Sequence, residues 1–245
     1  MGLRLYHEDN LKVLDELYGE VGQYVDLIYA DCIYESKDYR WVWKSLRLLK
    51  PNGIFIVQTD HHTVADYYNM LSQGYYFVNW LIYKQEWGGI SKRYFPRKHD
   101  DILVFAKNDE YKFYPERVMI PKVTAGTSLD KRGDGLKIPC DVFDDLGNFH
   151  TMDKERVKGS DGKNIQWQKP LKLMDRLLAP FTDRRDVVLD PFMGTGTTGV
   201  WCLQNNRHFI GVELDNEIFN IAHNRLLQDE AYEVGLIDIR KGLNI

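Results

Sequence analysis

The chain has 245 residues, with 32 Lys and Arg against 36 Asp and Glu for a net charge of −4, which excludes a uniformly basic nucleic-acid coat and leaves room for a local basic face. Hydrophobic residues make up 44% and charged residues 28%, a soluble globular composition, and no apolar run approaches the roughly 18 residues of a membrane span. The opening residues, Met1 to Leu5, have no signal-peptide apolar core, so a cytoplasmic location is expected.

In chain order, the first stretch reads as strand, helix, strand. Asp9 precedes a run, 10–17, whose apolar positions recur at helical spacing. An aspartate there suits an N-cap. Residues 24–30 are mostly apolar over the length of a buried parallel strand and run into Asp31-Cys32-Ile33-Tyr34. A helix follows over 41–49, stopped by a Lys50-Pro51-Asn52-Gly53 turn, and 54–58 form the next buried strand. Strands alternating with helices predict a parallel α/β sheet with right-handed crossovers.

From 84 to 172 that rhythm is lost. The segment holds most of the turn clusters and short β-like runs such as 101–105. It carries 18 Lys and Arg against 14 Asp and Glu, which leaves 14 against 22 for the rest of the chain. Charge is therefore segregated, +4 in the middle and −8 elsewhere. Basic and aromatic residues interleave there, and Trp87, Arg93, Tyr94, Arg97, Lys98, Lys131 and Arg132 are the candidates for nucleic-acid contact. Regular structure resumes with a helix over 171–178 behind Pro170, a strand 186–190, a glycine loop, a helix, a strand 208–213 and a last helix 216–228.

Three scattered cysteines, Cys32, Cys140 and Cys202, offer neither a disulfide framework nor a zinc knuckle. His61 and His62 are the one close histidine pair. Adjacent side chains rarely face one ion, so no metal is expected.

The glycine loop carries the clearest chemistry. Gly194-Thr195-Gly196-Thr197-Thr198-Gly199 fits G-x-G-x-x-G between a strand and a helix, and Glu213 ends the next strand where an acidic residue can hold ribose hydroxyls. A dinucleotide and S-adenosylmethionine both suit such a loop. Two features favour S-adenosylmethionine. Only about 50 residues follow the loop, too few for a second mononucleotide half. Asp190, just before the loop, would repel a pyrophosphate and attract an ammonium and a sulfonium.

Asp31-Cys32-Ile33-Tyr34, together with Asp190-Pro191-Phe192-Met193-Gly194-Thr195-Gly196, resembles the DNA amino-methyltransferases, which methylate adenine N6 or cytosine N4. The order of parts, catalytic loop, recognition region, cofactor loop, is similar to the beta class. Leu48-Leu49-Lys50-Pro51-Asn52-Gly53, the stretch Lys92 to Leu103 and Gln168-Lys169-Pro170 are similar as well. The resemblance covers nearly all the chain except about 110–160.

It implies a Rossmann-like permuted methyltransferase sheet with helices on both faces and an irregular inserted target-recognition region. Residues 1–83 would be the catalytic half, 84–165 the insert and 166–245 the cofactor-binding half. It also implies double-stranded DNA as substrate, S-adenosylmethionine as cofactor without a metal, and a possible homodimer. Asp31, Cys32 and Tyr34 become the catalytic residues, and Asp9, Asn10, Lys169, Asp190, Phe192, Gly194, Gly196, Thr197 and Glu213 the cofactor-binding ones.

The departure is Cys32-Ile33 where the family has Pro-Pro. Asp31 and the Cys32 carbonyl can still accept from an amino group, since every residue has a carbonyl, and Tyr34 can stack on a flipped-out base. The lost prolines remove rigidity and add two N–H donors. Adenine N6 is the preferred target, because serine is commoner than aspartate at the first position of cytosine-N4 members. Also open are a cytosine-N4 enzyme, a methyltransferase of RNA or protein glutamine, a nicotinamide-dependent oxidoreductase, an inactive DNA-binding relative, and Cys32 as a covalent nucleophile.

Overall fold

The computed structural model describes residues 2–32, 36–85, 90–131, 133–147, 149–150, 152–227 and 237–241. Tyr34, Trp87 and Arg132 lie outside the described residues.

Among the described residues, one large sheet contains β1 (Leu3–His7), β2 (Val25–Asp31), β3 (Leu49–Thr59), β4 (Tyr76–Lys84) and β5 (His99–Ala106). A ribbon of β6 (Ile120–Pro121) and β7 (Leu136–Lys137) stands apart. The sheet is completed by β8 (Val142–Phe143), β9 (Val187–Asp190), β10 (His208–Glu213) and β11 (Ile237–Lys241), in the order β11-β1-β10-β9-β2-β3-β5-β4-β8. The strands from β11 to β3 pair in parallel.

Residue alternation along the strands separates two cores, because side chains two apart share a face. On β2, Ile28 and Ala30 face helices α1 (Asn10–Val21), α2 (Arg40–Leu48) and α3 (Val64–Leu71), through Leu14, Leu17, Trp41, Leu46 and Tyr67. Leu27 and Tyr29 face the opposite layer, α4 (Leu171–Leu178), α5 (Thr197–Gln204) and α6 (Asn216–Leu227), through Met174, Leu177, Trp201 and Phe219. Helices thus cover both faces of the expected α/β sheet.

Two local readings are corrected. The sheet is mixed: β5 runs antiparallel to both β3 and β4. An antiparallel neighbour needs no crossover helix, which is why 84–105 shows no strand–helix–strand rhythm. Ile102 to Ala106 are fully buried, so the short β-like run at 101–105 is a core strand inside the stretch read as an insert. The second correction concerns Lys50-Pro51-Asn52-Gly53. These residues lie within β3, where the pairing with β2 shifts register between Val25↔Leu49 and Leu27↔Ile54. The proline and glycine are absorbed as a bulge rather than as a turn before the strand.

β9 and β2 are adjacent, paired Leu27↔Val188 and Ile28↔Leu189. From β9 the chain continues to β10 on one side, and from β2 it continues to β3 on the other. The carboxyl ends of β9 and β2 therefore flank a topological switch point, where open α/β sheets bind ligands.

Candidate active site

A cleft of about 880 Å³ opens at that switch point, within the roughly 300–1,000 Å³ of small-molecule sites. Asp9, Asn10, Asp31, Cys32, Lys169, Asp190, Phe192, Gly194, Thr197 and Glu213 all line it. Gly196 is the one cofactor candidate outside the lining. It follows the lining residues Gly194 and Thr195 in the chain and caps α5 with φ +77, and Gly194 has φ +51. Both are left-handed conformations that glycine adopts without steric penalty.

The glycine loop is braced on three sides. Asp190 ends β9 and accepts hydrogen bonds from Thr198 Oγ1 at 2.7 Å and the Phe192 N–H at 3.0 Å. Glu213 ends β10 and accepts from the Gly194 N–H at 3.1 Å and the Asp215 N–H at 2.8 Å. Asn10 Nδ2 donates to the Pro191 carbonyl at 3.2 Å, which ties α1 to the loop. Asp9 accepts from the Leu11 N–H at 2.7 Å, so it caps α1 while lining the cleft. Trp41 of α2 meets Phe192 edge-on at 5.0 Å and holds its ring.

Burial sets the electrostatics. Asp190 is buried, and loss of hydration pushes its carboxyl up to about 7; the Thr198 and Phe192 hydrogen bonds oppose the rise, and the negative charges of Asp31 and Glu213 add to it. Burial also raises Glu213, against the backbone hydrogen bonds it accepts. Both carboxylates would be relieved by a cation in the cleft.

Asp31 ends β2, with Lys169 Nζ at 2.6 Å from its Oδ2. Lys169 is buried. It pairs with the β2 carboxylate while lining the same cleft as the glycine loop, and a solvated surface role is excluded. Cys32 turns its thiol inwards, with the Gln58 carbonyl at 3.5 Å, and accepts from the Tyr67 hydroxyl at 3.3 Å. Burial pushes that thiol up to about 11, which disfavours the thiolate that a covalent nucleophile needs.

Sequence reasoning missed a polar chain behind Asp31. Tyr29 OH donates to Gln58 Oε1 at 2.7 Å, and Gln58 Nε2 donates to Asp100 Oδ2 at 2.8 Å. Gln85 also donates to Asp100, and Lys169 Nζ lies 3.7 Å away. The available signal was the Asp100-Asp101 pair opening an apolar strand, an unusual place for two acids. Gln168 joins the far wall, accepting from the Val157 N–H at 2.9 Å and donating to the Glu155 carbonyl at 2.6 Å.

The nucleic-acid candidates separate. Arg93, Tyr94 and Lys98 are exposed on the loop leading into β5, and Tyr94 is 74% exposed. Arg97, on the same loop, is held by Asp60 at 2.7 Å. Lys131 is exposed in the turn between β6 and β7 and does not line the cleft. Contrary to the sequence reading, His61 and His62 do converge, with Asp60, to within 4.8 Å. Asp60 is engaged there by Arg97 and by His62 Nδ1 at 2.9 Å, an ion-pair cluster.

Comparison with known proteins gives a consistent picture. A family model described as DNA methylase, of the N6/N4 methyltransferase type, matches residues 25–224. The type II methyltransferase M.HpaI of Haemophilus parainfluenzae is 30% identical over 197 residues, 79% of this chain. The chain spans 59% of that relative's length. Among solved structures, the M1.HpyAVI–SAM complex superposes with a TM-score of 0.68 at 23% identity, covering 91% of this chain and all of the other. The cytosine-N4-specific PvuII DNA methyltransferase reaches 0.69 at 16% identity, covering 94% and 88%. These similarities establish the same fold.

Proposed function

The chain belongs to the N6/N4 DNA methylase family, and we propose that it moves a methyl group from S-adenosylmethionine to the exocyclic amine of a flipped-out base in duplex DNA, with adenine N6 as the target. One observation carries the reading: Asp31 and Asp190 end neighbouring strands and share one cleft. That supports reading Asp31 as an acceptor for an amine and the neighbouring buried Asp190 as a partner for a cationic donor.

The residues fit that donor. Burial pushes the Asp190 carboxyl up to about 7, so an ammonium beside it would favour its charged form, and Glu213, at the end of the next strand, would accept from ribose hydroxyls. The left-handed glycines keep the loop backbone open to close approach. When bound, S-adenosylmethionine supplies an electrophilic methyl group on a sulfonium.

The protein's part is to prepare the nucleophile. The lone pair of an exocyclic amine is delocalised into its ring. Two acceptors on the N–H groups draw the nitrogen towards tetrahedral geometry and localise that pair. Asp31 supplies one acceptor and the Cys32 main-chain carbonyl the other, with Tyr34 stacking on the base. Catalysis then rests on positioning and electrostatic stabilisation. Base flipping costs a few kcal/mol, offset by contacts from the basic and aromatic loop before β5. The lean to adenine rests on Asp31 at the first position of the loop. No helix among the described residues is long and apolar enough to cross a membrane.

Incubation with duplex DNA and methyl-labelled S-adenosylmethionine, followed by digestion to nucleosides, tests the reading. Labelled N6-methyladenine is the expected product. Labelled N4-methylcytosine would overturn the base assignment, and label in RNA or protein alone would overturn the substrate. Asp31→Ala is expected to abolish transfer while leaving cofactor affinity within about twofold. Collapse of cofactor binding would show that the two loops do not divide the work.

A further inference from the structure

Asp100 has no exposed surface, and the chemistry proposed above leaves it without a task. It is the second residue of β5, and Gln58, the residue it binds, pairs with Asp31 across β2 and β3. Its two oxygens differ. Oδ2 accepts from Gln58 and Gln85 and has Lys169 Nζ at 3.7 Å. Oδ1 is buried with no hydrogen bond, and Arg97 Nη2 is 3.9 Å away. A buried acceptor left unsatisfied is rare and unfavourable, so this carboxylate has capacity for a further donor.

Lys169 sits between two carboxylates and at present favours one, 2.6 Å from Asp31 against 3.7 Å from Asp100. A target amine bound at Asp31 would share, and compete for, the carboxylate whose Oδ2 this ammonium now holds. Weakening a buried ion pair is unfavourable unless the ammonium keeps a carboxylate partner, and Asp100 offers one in the same cluster. A shift of about 1 Å brings Lys169 into hydrogen-bond range of Asp100. The net charge of the three groups is the same in both arrangements.

We propose that Asp100 is a positioning residue for methyl transfer: a second carboxylate that receives the Lys169 ammonium when the target amine claims Asp31. The proposal rests on the amine-methylation reading and deepens it. Asp100 touches no substrate and acts through Lys169.

The test is single-turnover methyl transfer by the full chain on duplex DNA, with cofactor affinity and Tm measured in parallel. Asp100→Asn keeps the shape and removes the charge. It is expected to slow the transfer step by roughly tenfold or more while cofactor affinity changes by less than about twofold. Lys169→Ala removes the ammonium to be parked, so adding Asp100→Asn to it should slow transfer by no more than about twofold further. Asp100→Glu keeps the charge and should stay within about threefold of the wild type; if Asp100→Asn does not fold, this variant decides alone. A wild-type rate for Asp100→Asn, an undiminished loss in the Lys169→Ala background, or no recovery in a folded Asp100→Glu overturns the proposal. A wild-type protein that labels no DNA base overturns the functional reading, and this proposal falls with it.

Discussion

At the scale of single residues, the site is governed by what burial does to charge. Asp190 is held up to about 7 because β9 carries it into the sheet, and the hydrogen bonds from Thr198 and Phe192 only partly offset the lost hydration. At neutral pH a large share of it is protonated until a cation arrives. Its folded value lies above the ordinary 3.8. Between those values the folded protein binds the extra proton, so this group's contribution to stability is lost as pH rises through the window and is restored below it. Cofactor binding has the opposite slope, because an ammonium needs the ionised carboxylate and must expel the proton. Affinity for S-adenosylmethionine, followed by calorimetry, is therefore expected to rise roughly tenfold from about pH 6 to about pH 8, with proton release. In Asp190→Asn that slope should vanish and the affinity should drop by roughly tenfold or more. The ligand-free variant should gain stability over the wild type near pH 8, a gain that shrinks towards pH 5. A pH-independent wild-type affinity would remove Asp190 from the cofactor site.

At the scale of elements, the glycine loop works because α5 lies unusually close to β10 and α6. A Cβ on Gly199 would fall 2.7 Å from the Phe209 ring and 2.8 Å from Leu226. Helix propensity alone favours alanine over glycine by about 0.5–1 kcal/mol, whereas overpacking a core costs about 1–3 kcal/mol. The packing term wins, so Gly199→Ala should lower stability by about 1–2 kcal/mol in denaturant titration; an unchanged midpoint would show that α5 has room to move. This unit was legible from the chain because its parts are local: β9, the loop, α5 and β10 follow one another within 187–213, and each has a strong signal of its own. The β2 strand and its Asp31 were legible for the same reason. β5 was legible as a β-like run but not as a core strand, because its apolar run follows the polar stretch Arg97 to Asp101, and its partners β3 and β4 are set by tertiary pairing. Asp100 lies 42 positions from Gln58 and 69 from Lys169 along the chain, and nothing local joins them: the antiparallel return of β5 beside β3 brings Asp100 to Gln58, and the chain entering α4 brings Lys169.

For the whole molecule, the segregation of charge has a different meaning once its pairs are known. Several cations of the basic middle segment are engaged by the rest of the chain: Lys112 pairs with Asp186 at 2.9 Å and Arg117 with Asp183 at 2.8 Å. Lys169 pairs with Asp31. Lys122 is taken up within the segment by Asp130 and Asp134. These pairs fasten the irregular region to the sheet and give little field to an external polyanion. Lys92, Arg93 and Lys98 are different: exposed, on one loop, and next to the fully exposed Phe95. Each phosphate that a cation neutralises releases counterions and steepens the fall of DNA affinity with salt. Arg93→Ala and Lys98→Ala are each expected to lower the slope of log affinity against log salt by about 1, and the double variant by about 2. Arg97→Ala should act otherwise, because its guanidinium is held by Asp60: the slope stays nearly constant while the loop loses its anchor and transfer slows. Fluorescence anisotropy on a labelled duplex over a salt series distinguishes the two patterns. If Arg97 moves the slope as far as Arg93 does, DNA draws it away from Asp60, and that ion pair belongs to the resting protein alone.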